Sequence, residues 1–169
     1  MSAADPFEVL GVAPRFGLPA AELRSRWMRA AAAAHPDADG GVDSSAEVNA
    51  AYHELADPLK RAAALLRRLG APAVADPGLP QDFLLEAMEI REEVDAAGGD
   101  RARLDAIHDA VSARHAAAVD GIAAAFAEIG GVPDEAATRR VLCGMNLARA
   151  LARIMEQIVA QVERESGRA

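Results

Sequence analysis

The sequence predicts an all-α protein, and three observations carry that prediction. Hydrophobic residues make up 51% of the 169 residues but aromatic residues only 4%, because much of the apolar content is alanine, the strongest helix former. Apolar side chains recur at intervals of three and four, which is the spacing of one helix face. No segment has the pattern of a strand.

The charge and the cysteine content exclude several classes of function. The chain has 18 basic and 26 acidic residues, for a net charge of −8, so nucleic acids and anionic membranes are poor partners. A single cysteine, Cys143, cannot form an internal disulfide, which suits a reducing compartment. With no basic leader and no apolar run of about 18 residues, we expect a cytoplasmic protein.

The first 69 residues divide into four helical segments. Two of them begin at an Asp-Pro step, Asp5–Pro6 and Asp57–Pro58, where proline occupies the first helical position. The predicted bounds are 5–11, 19–34, Asp43 or Ser44 (as the N-cap) to 56, and 57–70. Helical spacing predicts two buried stripes, formed by Leu23, Trp27, Ala30 and Ala34 and by Val48, Ala51, Tyr52 and Leu55. Arg26 and Arg29 lie opposite the first of these stripes.

The segment "GAPAVADPGLP", 70–80, contains three prolines and two glycines and predicts a linker or hinge, because neither helix nor central strand persists there. The predicted domains are therefore 1–69 and 81–169. The second domain contains three helices joined by short turns, which is typical of an up-down-up bundle. Their predicted bounds are 80–97, 100–128 and 133–165. The last two helices have apolar stripes formed by Leu104, Ile107, Val111, Ala118, Ile122, Phe126 and Ile129 and by Val141, Met145, Ala148, Ala152, Met155, Val159 and Val162.

A His-Pro-Asp step interrupts a run of five alanines in "AAAAAHPDADGG", 30–41. "DPFEVLGV", an arginine-bearing helix, this tripeptide and "NAAYHELADPLKRAAALL" follow one another in the order found in the J domain of the DnaJ class, which residues 5–69 resemble. The resemblance implies that this region engages an ATP-bound DnaK-type chaperone and stimulates its ATP hydrolysis. The implied contact residues are His35, Pro36, Asp37, Arg26 and Arg29.

Two positions depart from the J-domain pattern. Ala34 and Ala38 stand where family members usually have a tyrosine and a lysine. With fewer cations, electrostatic steering toward an acidic partner is weaker. We therefore expect a looser or more specialised chaperone contact, and an adaptor with a degenerate J domain is one alternative.

The segment "DFLLEAMEIREEVDAA", 82–97, resembles the C-terminal domain of the HscB family of iron–sulfur co-chaperones. "VAPRFGLPAAEL" and "DPLKRAAALL" also fit that family, and no Gly/Phe-rich or zinc-binding region follows the J-like part. The resemblance implies an L-shaped, two-domain protein that delivers the scaffold protein IscU to the chaperone HscA. An alternative is a J protein that delivers another client to a general DnaK.

Helical geometry independently predicts two apolar stripes on this helix. The first stripe, Phe83, Ala87, Ile90 and Val94, is the predicted core face. The second consists of Leu84, Leu85 and Met88 and is bordered by Glu89 and Glu92, as in a docking surface. By resemblance these five residues bind the scaffold, together with Leu147 of the last helix. The alternative is that Leu84 and Leu85 are buried beneath the J-like domain.

No pattern in the sequence predicts an enzyme. The four histidines, His35, His53, His108 and His115, lack the spacing of a metal site, and no HExxH motif occurs. We interpret His115 as a core residue of the bundle, and Cys143 has no evident base partner. One cysteine cannot hold an iron–sulfur cluster. We expect no catalytic residue, no cofactor and no stoichiometric metal, and a monomer or weak dimer.

Overall fold

The computed structural model describes residues 4–34 and 42–166. The helices are α1 (Pro6–Val9), α2 (Ala20–Ala33), α3 (Val42–Ala56), α4 (Pro58–Arg68), α5 (Gln81–Ala97), α6 (Arg101–Ala127) and α7 (Glu135–Ser166). Over these described ranges the chain has no strand, and the prediction of an all-α fold is confirmed.

The chain forms two compact units. The first contains Met1–Ala73 together with Phe126–Thr138, and the second contains Val74–Ala125 together with Arg139–Ala169. The boundary between Ala73 and Val74 falls inside the segment 70–80, which is non-helical in the structure. The turn between α6 and α7 belongs to the first unit.

The Asp-Pro steps start helices as the sequence predicts. The Asp5 carboxylate accepts a hydrogen bond from the Phe7 amide at 3.0 Å. The Asp57 carboxylate accepts from the Leu59 amide at 2.8 Å and from the Lys60 amide at 3.0 Å. Each side chain thus satisfies amides that have no partner inside the first turn of a helix.

The predicted N-cap of the third helix is wrong. Helix α3 begins at Val42, so Asp43 and Ser44 lie inside its first turn. The helix therefore begins one or two residues before the predicted cap.

The first unit is held together by buried aliphatic and aromatic side chains. Phe7, Leu10, Leu23, Leu55, Ala62 and Leu65 are among its most buried residues. The rings of Trp27 and Tyr52 are 4.8 Å apart, and the Trp27 indole N–H donates to Asn49 Oδ1 at 2.9 Å. These contacts join α2 to α3, which brings the arginine-bearing helix into a fixed orientation within this unit.

Phe16 and Arg61 form a second packing centre in the first unit. Phe16 stacks on Phe126 with ring centroids 5.4 Å apart, and the Arg61 guanidinium lies 5.2 Å from the centre of the Phe16 ring. Arg61 also donates to the Leu55 carbonyl at 2.7 Å. Partial burial lowers the Arg61 pKa, because a low-dielectric environment penalises the charged form.

The second unit packs α5, α6 and α7 around a long apolar seam. On α6, Leu104, Val111, Ala118 and Ile122 are buried as predicted. On α7 the predicted stripe is partly wrong, because Val159 is 44% exposed whereas Leu151 and Ile158 are buried. The stripe was predicted with 3.6 residues per turn. The buried positions instead recur every seven residues, which corresponds to 3.5 residues per turn, and the two periods diverge by about 20° per heptad.

Gly144 lies on the same heptad row as Leu151 and Ile158. A Cβ atom at this position would lie 2.9 Å from Cγ1 of Ile122, closer than packed carbon atoms approach. Helices α6 and α7 therefore meet closely at Gly144.

His115 is only half-buried, so the prediction of a core histidine is wrong and this residue lies at the edge of the core.

Candidate functional site

Helix α5 has one face in the core and one face in solvent. Phe83 is 4% exposed, whereas Ala87, Ile90 and Val94 are half-buried, so the predicted core face is buried at Phe83 and only partly covered at the other three positions. On the other side Leu84 is 53%, Leu85 67% and Met88 62% exposed. The alternative that Leu84 and Leu85 are buried is therefore wrong.

Carboxylates border this apolar stripe, and they are free to meet a partner. Glu89 and Glu92 are exposed, and neither forms an ion pair with any residue that the structure describes. Glu86, one turn earlier, is instead paired with Arg114 of α6. We name Leu84, Leu85, Met88, Glu89 and Glu92 the α5 docking face.

The energetics of the α5 docking face favour association. Removing one large aliphatic side chain from water contributes about 1.5–3 kcal/mol. Three such side chains within five residues form a contiguous patch, whereas exposed apolar residues on a monomer surface are ordinarily scattered. The patch has apolar anchors at its centre and charges at its border, which is the anatomy of a protein–protein interface.

Leu147 is half-buried on α7. Its neighbour Asn146 forms a polar anchor that holds the segment leading into α5. The Asn146 amide donates to Asp76 Oδ1 at 2.7 Å and to the Gly78 carbonyl at 3.1 Å. Arg149 donates to Asn146 Oδ1 at 3.1 Å. The approach to α5 is therefore fixed on α7 beside Leu147, whose role in docking stays a prediction.

The anchor shifts the titration of Asp76. The Asp76 carboxylate accepts from the Gly78 amide at 3.0 Å as well as from Asn146. These hydrogen bonds, the one from Gly78 first, hold the Asp76 pKa below its ordinary value, and Arg149 adds a smaller effect in the same direction. Donors that bind the ionised form stabilise it.

Helix α2 presents a second candidate surface. Arg26 and Arg29 are exposed as predicted, and Arg24 is exposed as well. None of the three forms an ion pair with a residue in the described ranges. We name Arg24, Arg26 and Arg29 the α2 basic face.

Met28 and Arg24 are surface residues that the sequence reasoning missed. Met28 is 55% exposed, and it lies about 140° around the helix from the buried Leu23. The same angular spacing that assigned Arg26 and Arg29 to the surface could have found both residues. His35, Pro36 and Asp37 lie outside the described residues, as does Ala38.

Helix α2 ends at Ala33, next to a buried Ala34. The Ala34 amide donates to the Ala30 carbonyl at 2.9 Å.

Arg68, at the end of α4, forms ion pairs with residues at the start of the first unit. It pairs with Glu8 at 2.8 Å and also with Asp5. The hydrogen bonds to Glu8 and Asp5 raise the Arg68 pKa, since both carboxylates favour the cation.

Across residues 4–34 and 42–166, no group of three or more His, Cys, Asp or Glu side chains could hold a metal ion. Cys143 is a free, half-buried thiol. Among the helices of the same ranges, none is both long and apolar enough to cross a bilayer.

Comparison with known proteins gives consistent matches along the chain. Residues 79–141, which include the α5 docking face, match the family model of the HSCB C-terminal oligomerisation domain. A co-chaperone protein HscB homolog of Chromobacterium violaceum is 37% identical over 61% of this chain, and the match spans 63% of that relative's length. The homolog of Bordetella pertussis is 32% identical, with 63% of this chain and 69% of the relative covered.

Two solved structures have the same fold. The chaperone HscB from Vibrio cholerae matches with a TM-score of 0.73 at 23% identity, over 95% of this chain and 99% of that one. The human co-chaperone protein HscB matches with a TM-score of 0.67 at 24% identity, over 95% and 85% of the two chains. The Bordetella pertussis relative, at 32% identity over 69% of its length, places this fold in a family of co-chaperones. The chain belongs to the HscB family.

Proposed function

We propose that this chain recruits a DnaK-type chaperone, the specialised HscA, and delivers the iron–sulfur scaffold protein IscU to it. The observation that carries the proposal is the α5 docking face, in which three exposed apolar side chains lie beside two unpaired carboxylates. It lies within the part of the chain that matches the family model. A face of this composition suits a partner that presents an apolar surface with a basic border.

The chaperone contact is assigned to the first unit. His35, Pro36 and Asp37 would present a short polar loop whose backbone is restricted by proline, so little ordering entropy is lost on binding. The α2 basic face would steer the unit toward an acidic surface of the chaperone. The chemical step belongs to the chaperone, and this chain contributes by binding one nucleotide state more tightly than the other.

Joining the two binding sites in one chain supports client delivery. A scaffold held on the α5 docking face is brought to the chaperone at a raised effective concentration, because the second encounter becomes intramolecular. The role is that of a non-enzymatic adaptor that acts in the cytoplasm as a monomer or weak dimer. No resident cofactor or metal is part of the proposal.

The steady-state ATP turnover of HscA tests the proposal. We expect this chain to stimulate turnover, and we expect IscU to increase the stimulation further only when this chain is present. The Leu85→Ala, Met88→Ala double variant should keep the first stimulation and lose the increment from IscU. Turnover that does not respond to this chain, with or without the scaffold, would contradict the proposed function.

A further inference from the structure

A groove runs between α5 and α7 in the second unit, outside the α5 docking face. Its volume is about 370 Å³. Its apolar lining comes from both helices and consists of Ala87, Ile90, Val94, Ile154 and Ile158. Of these, only Ile158 is fully buried, so the others leave apolar surface accessible to a side chain that enters from solvent.

Cationic and amide side chains border the groove. Arg91 and Arg164 line it together with Gln157, Gln161 and a single carboxylate, Asp95. Both arginines are exposed, and neither forms an ion pair with a residue in the described ranges. The two guanidinium groups outnumber the one carboxylate, so the groove is locally cationic in a chain whose net charge is −8.

The groove continues the α5 docking face. Arg91 follows Met88 by three residues, which places the two side chains next to each other on the helix surface. Around the helix, Arg91 lies about 20° from Leu84, on the side that leads to α7. A partner seated on Leu84 and Met88 therefore reaches the groove without leaving the surface of α5.

We propose that this groove binds an acidic segment of the same iron–sulfur scaffold, with Arg91 and Arg164 pairing with its carboxylates and an apolar side chain entering between Ile90 and Ile154. The inference rests on the proposed function. Guanidinium groups are suited to this role because their planar donors match a carboxylate.

The occupant should be the scaffold because the groove adjoins the surface proposed to bind the scaffold, and the charge pattern restricts how it can bind. The α5 docking face is acidic at Glu89 and Glu92, whereas the adjoining groove is cationic at Arg91 and Arg164. A partner that spans both must present a basic border and an acidic segment in a fixed order, and the reversed orientation would place like charges together. The groove thus sets the orientation of the scaffold on α5, while the apolar stripe supplies most of the affinity.

The test is calorimetric titration of the full chain with IscU at two salt concentrations. We expect the Arg91→Gln, Arg164→Gln double variant to bind about tenfold more weakly near 0.1 M salt, as expected for two partly exposed ion pairs. The loss should shrink near 1 M salt, where the Debye length falls to about 3 Å. Arg153→Gln is the matched control, because Arg153 is an exposed arginine of α7 that does not line the groove.

Four outcomes separate this inference from the proposed function. Loss of affinity in the groove variant, with the control unchanged, supports the inference. Wild-type affinity in the groove variant, with loss in the Leu85→Ala, Met88→Ala variant, overturns the groove and leaves the proposed function standing. Undiminished binding by both variants overturns both. If the free protein is instead a dimer that the groove variant dissociates in light scattering, the occupant is a second copy and the inference is overturned.

Discussion

Helices α2 and α5 each bury one face and expose another, but their exposed faces differ in composition. Helix α2 exposes three arginines with one large apolar side chain, Met28. Helix α5 exposes three large apolar side chains with carboxylates at their border. The exposed face of α2 provides long-range electrostatic attraction but little apolar area that a partner could bury. The exposed face of α5 provides more apolar area but weaker electrostatic attraction.

The two compositions suit two kinds of contact. Charges on an interface border act mainly on the association rate and its salt dependence. Buried apolar anchors act mainly on the dissociation rate. We therefore expect the α2 contact to be brief and salt-sensitive, as repeated cycles on a chaperone require. The α5 contact should be longer-lived, because a client must stay bound until it is transferred.

The largest expected effect tests the chaperone side of this comparison. His35→Gln should abolish stimulation of HscA turnover, because the substitution removes the imidazole from the loop assigned to the chaperone contact. The α5 contact should be untouched, so IscU affinity should stay at the wild-type value. Steady-state ATP turnover and calorimetry measure the two quantities.

His53→Gln is the control for this substitution. His53 is exposed on α3 in the same unit, so the same chemical change is made outside the loop. Equal stimulation by wild type and His35→Gln, at matched helicity, would refute the assignment of the chaperone contact.

The second expected effect concerns the apolar stripe. Replacing Leu85 and Met88 with alanine should weaken IscU binding by about thirtyfold or more, since truncating an interface anchor commonly costs about 2 kcal/mol. The melting temperature should hardly change, because both side chains are exposed in the free protein. Val132→Ala is the control, since Val132 is 77% exposed and lies outside α5. A melting temperature lowered by several degrees with normal scaffold binding would make these residues structural.

Charge reversal gives a smaller effect that separates the two faces. The Arg26→Glu, Arg29→Glu variant should weaken only the chaperone contact, and the Glu89→Lys, Glu92→Lys variant only the scaffold contact. Each loss should be about tenfold at low salt and should shrink as salt is added.

Lys60→Glu on α4 and Asp120→Lys on α6 are the controls for these reversals, because both residues are exposed outside the two named surfaces. If either double variant affected both partners equally, the two helices would not have separate roles.

Local features of the fold were predictable because their causes are local. Asp5 and Asp57 cap their helices through amides two or three residues away, so an Asp-Pro step in the sequence is sufficient evidence. The exposure of Leu84, Leu85 and Met88 followed from helical geometry on a helix of 17 residues. Over that length the difference between 3.6 and 3.5 residues per turn is small.

Features that depend on distant residues were not predictable. On α7, which has 32 residues, the drift of the seam accumulates until Ile158 replaces Val159 in the core. The anchor between Asp76 and Asn146 joins residues 70 positions apart, and no local pattern marks either partner. The position of Arg91 opposite Arg164 across the groove likewise depends on the packing of α5 on α7. For these residues the sequence shows the type of side chain but does not show which other residues lie next to it.

The smallest expected effect concerns the Asp76 anchor, which fixes the approach to α5 on α7. Because the folded-state pKa of Asp76 is lowered, its carboxylate contributes stability that is present above its ordinary pKa of about 4. That contribution is lost as the pH falls through the lowered pKa. Asp76→Ala should therefore melt slightly below wild type at pH 7, and the two melting curves should converge in acid.

Measurements of scaffold binding and of chaperone stimulation show whether the Asp76 anchor affects the α5 contact alone or the α2 contact as well. Asp76→Ala should lower IscU affinity by about twofold, because solvent screens the hydrogen-bonded charge of this exposed carboxylate. Stimulation of HscA turnover should not change, since the anchor lies within the second unit. Asp120→Ala, at an exposed aspartate of α6, controls for the loss of one negative charge. A gap between the Asp76→Ala and wild-type melting curves that persists in strong acid would show that the carboxylate does not act through its charge. A scaffold affinity identical to wild type would show that the α5 docking face is positioned by the core face of α5 alone.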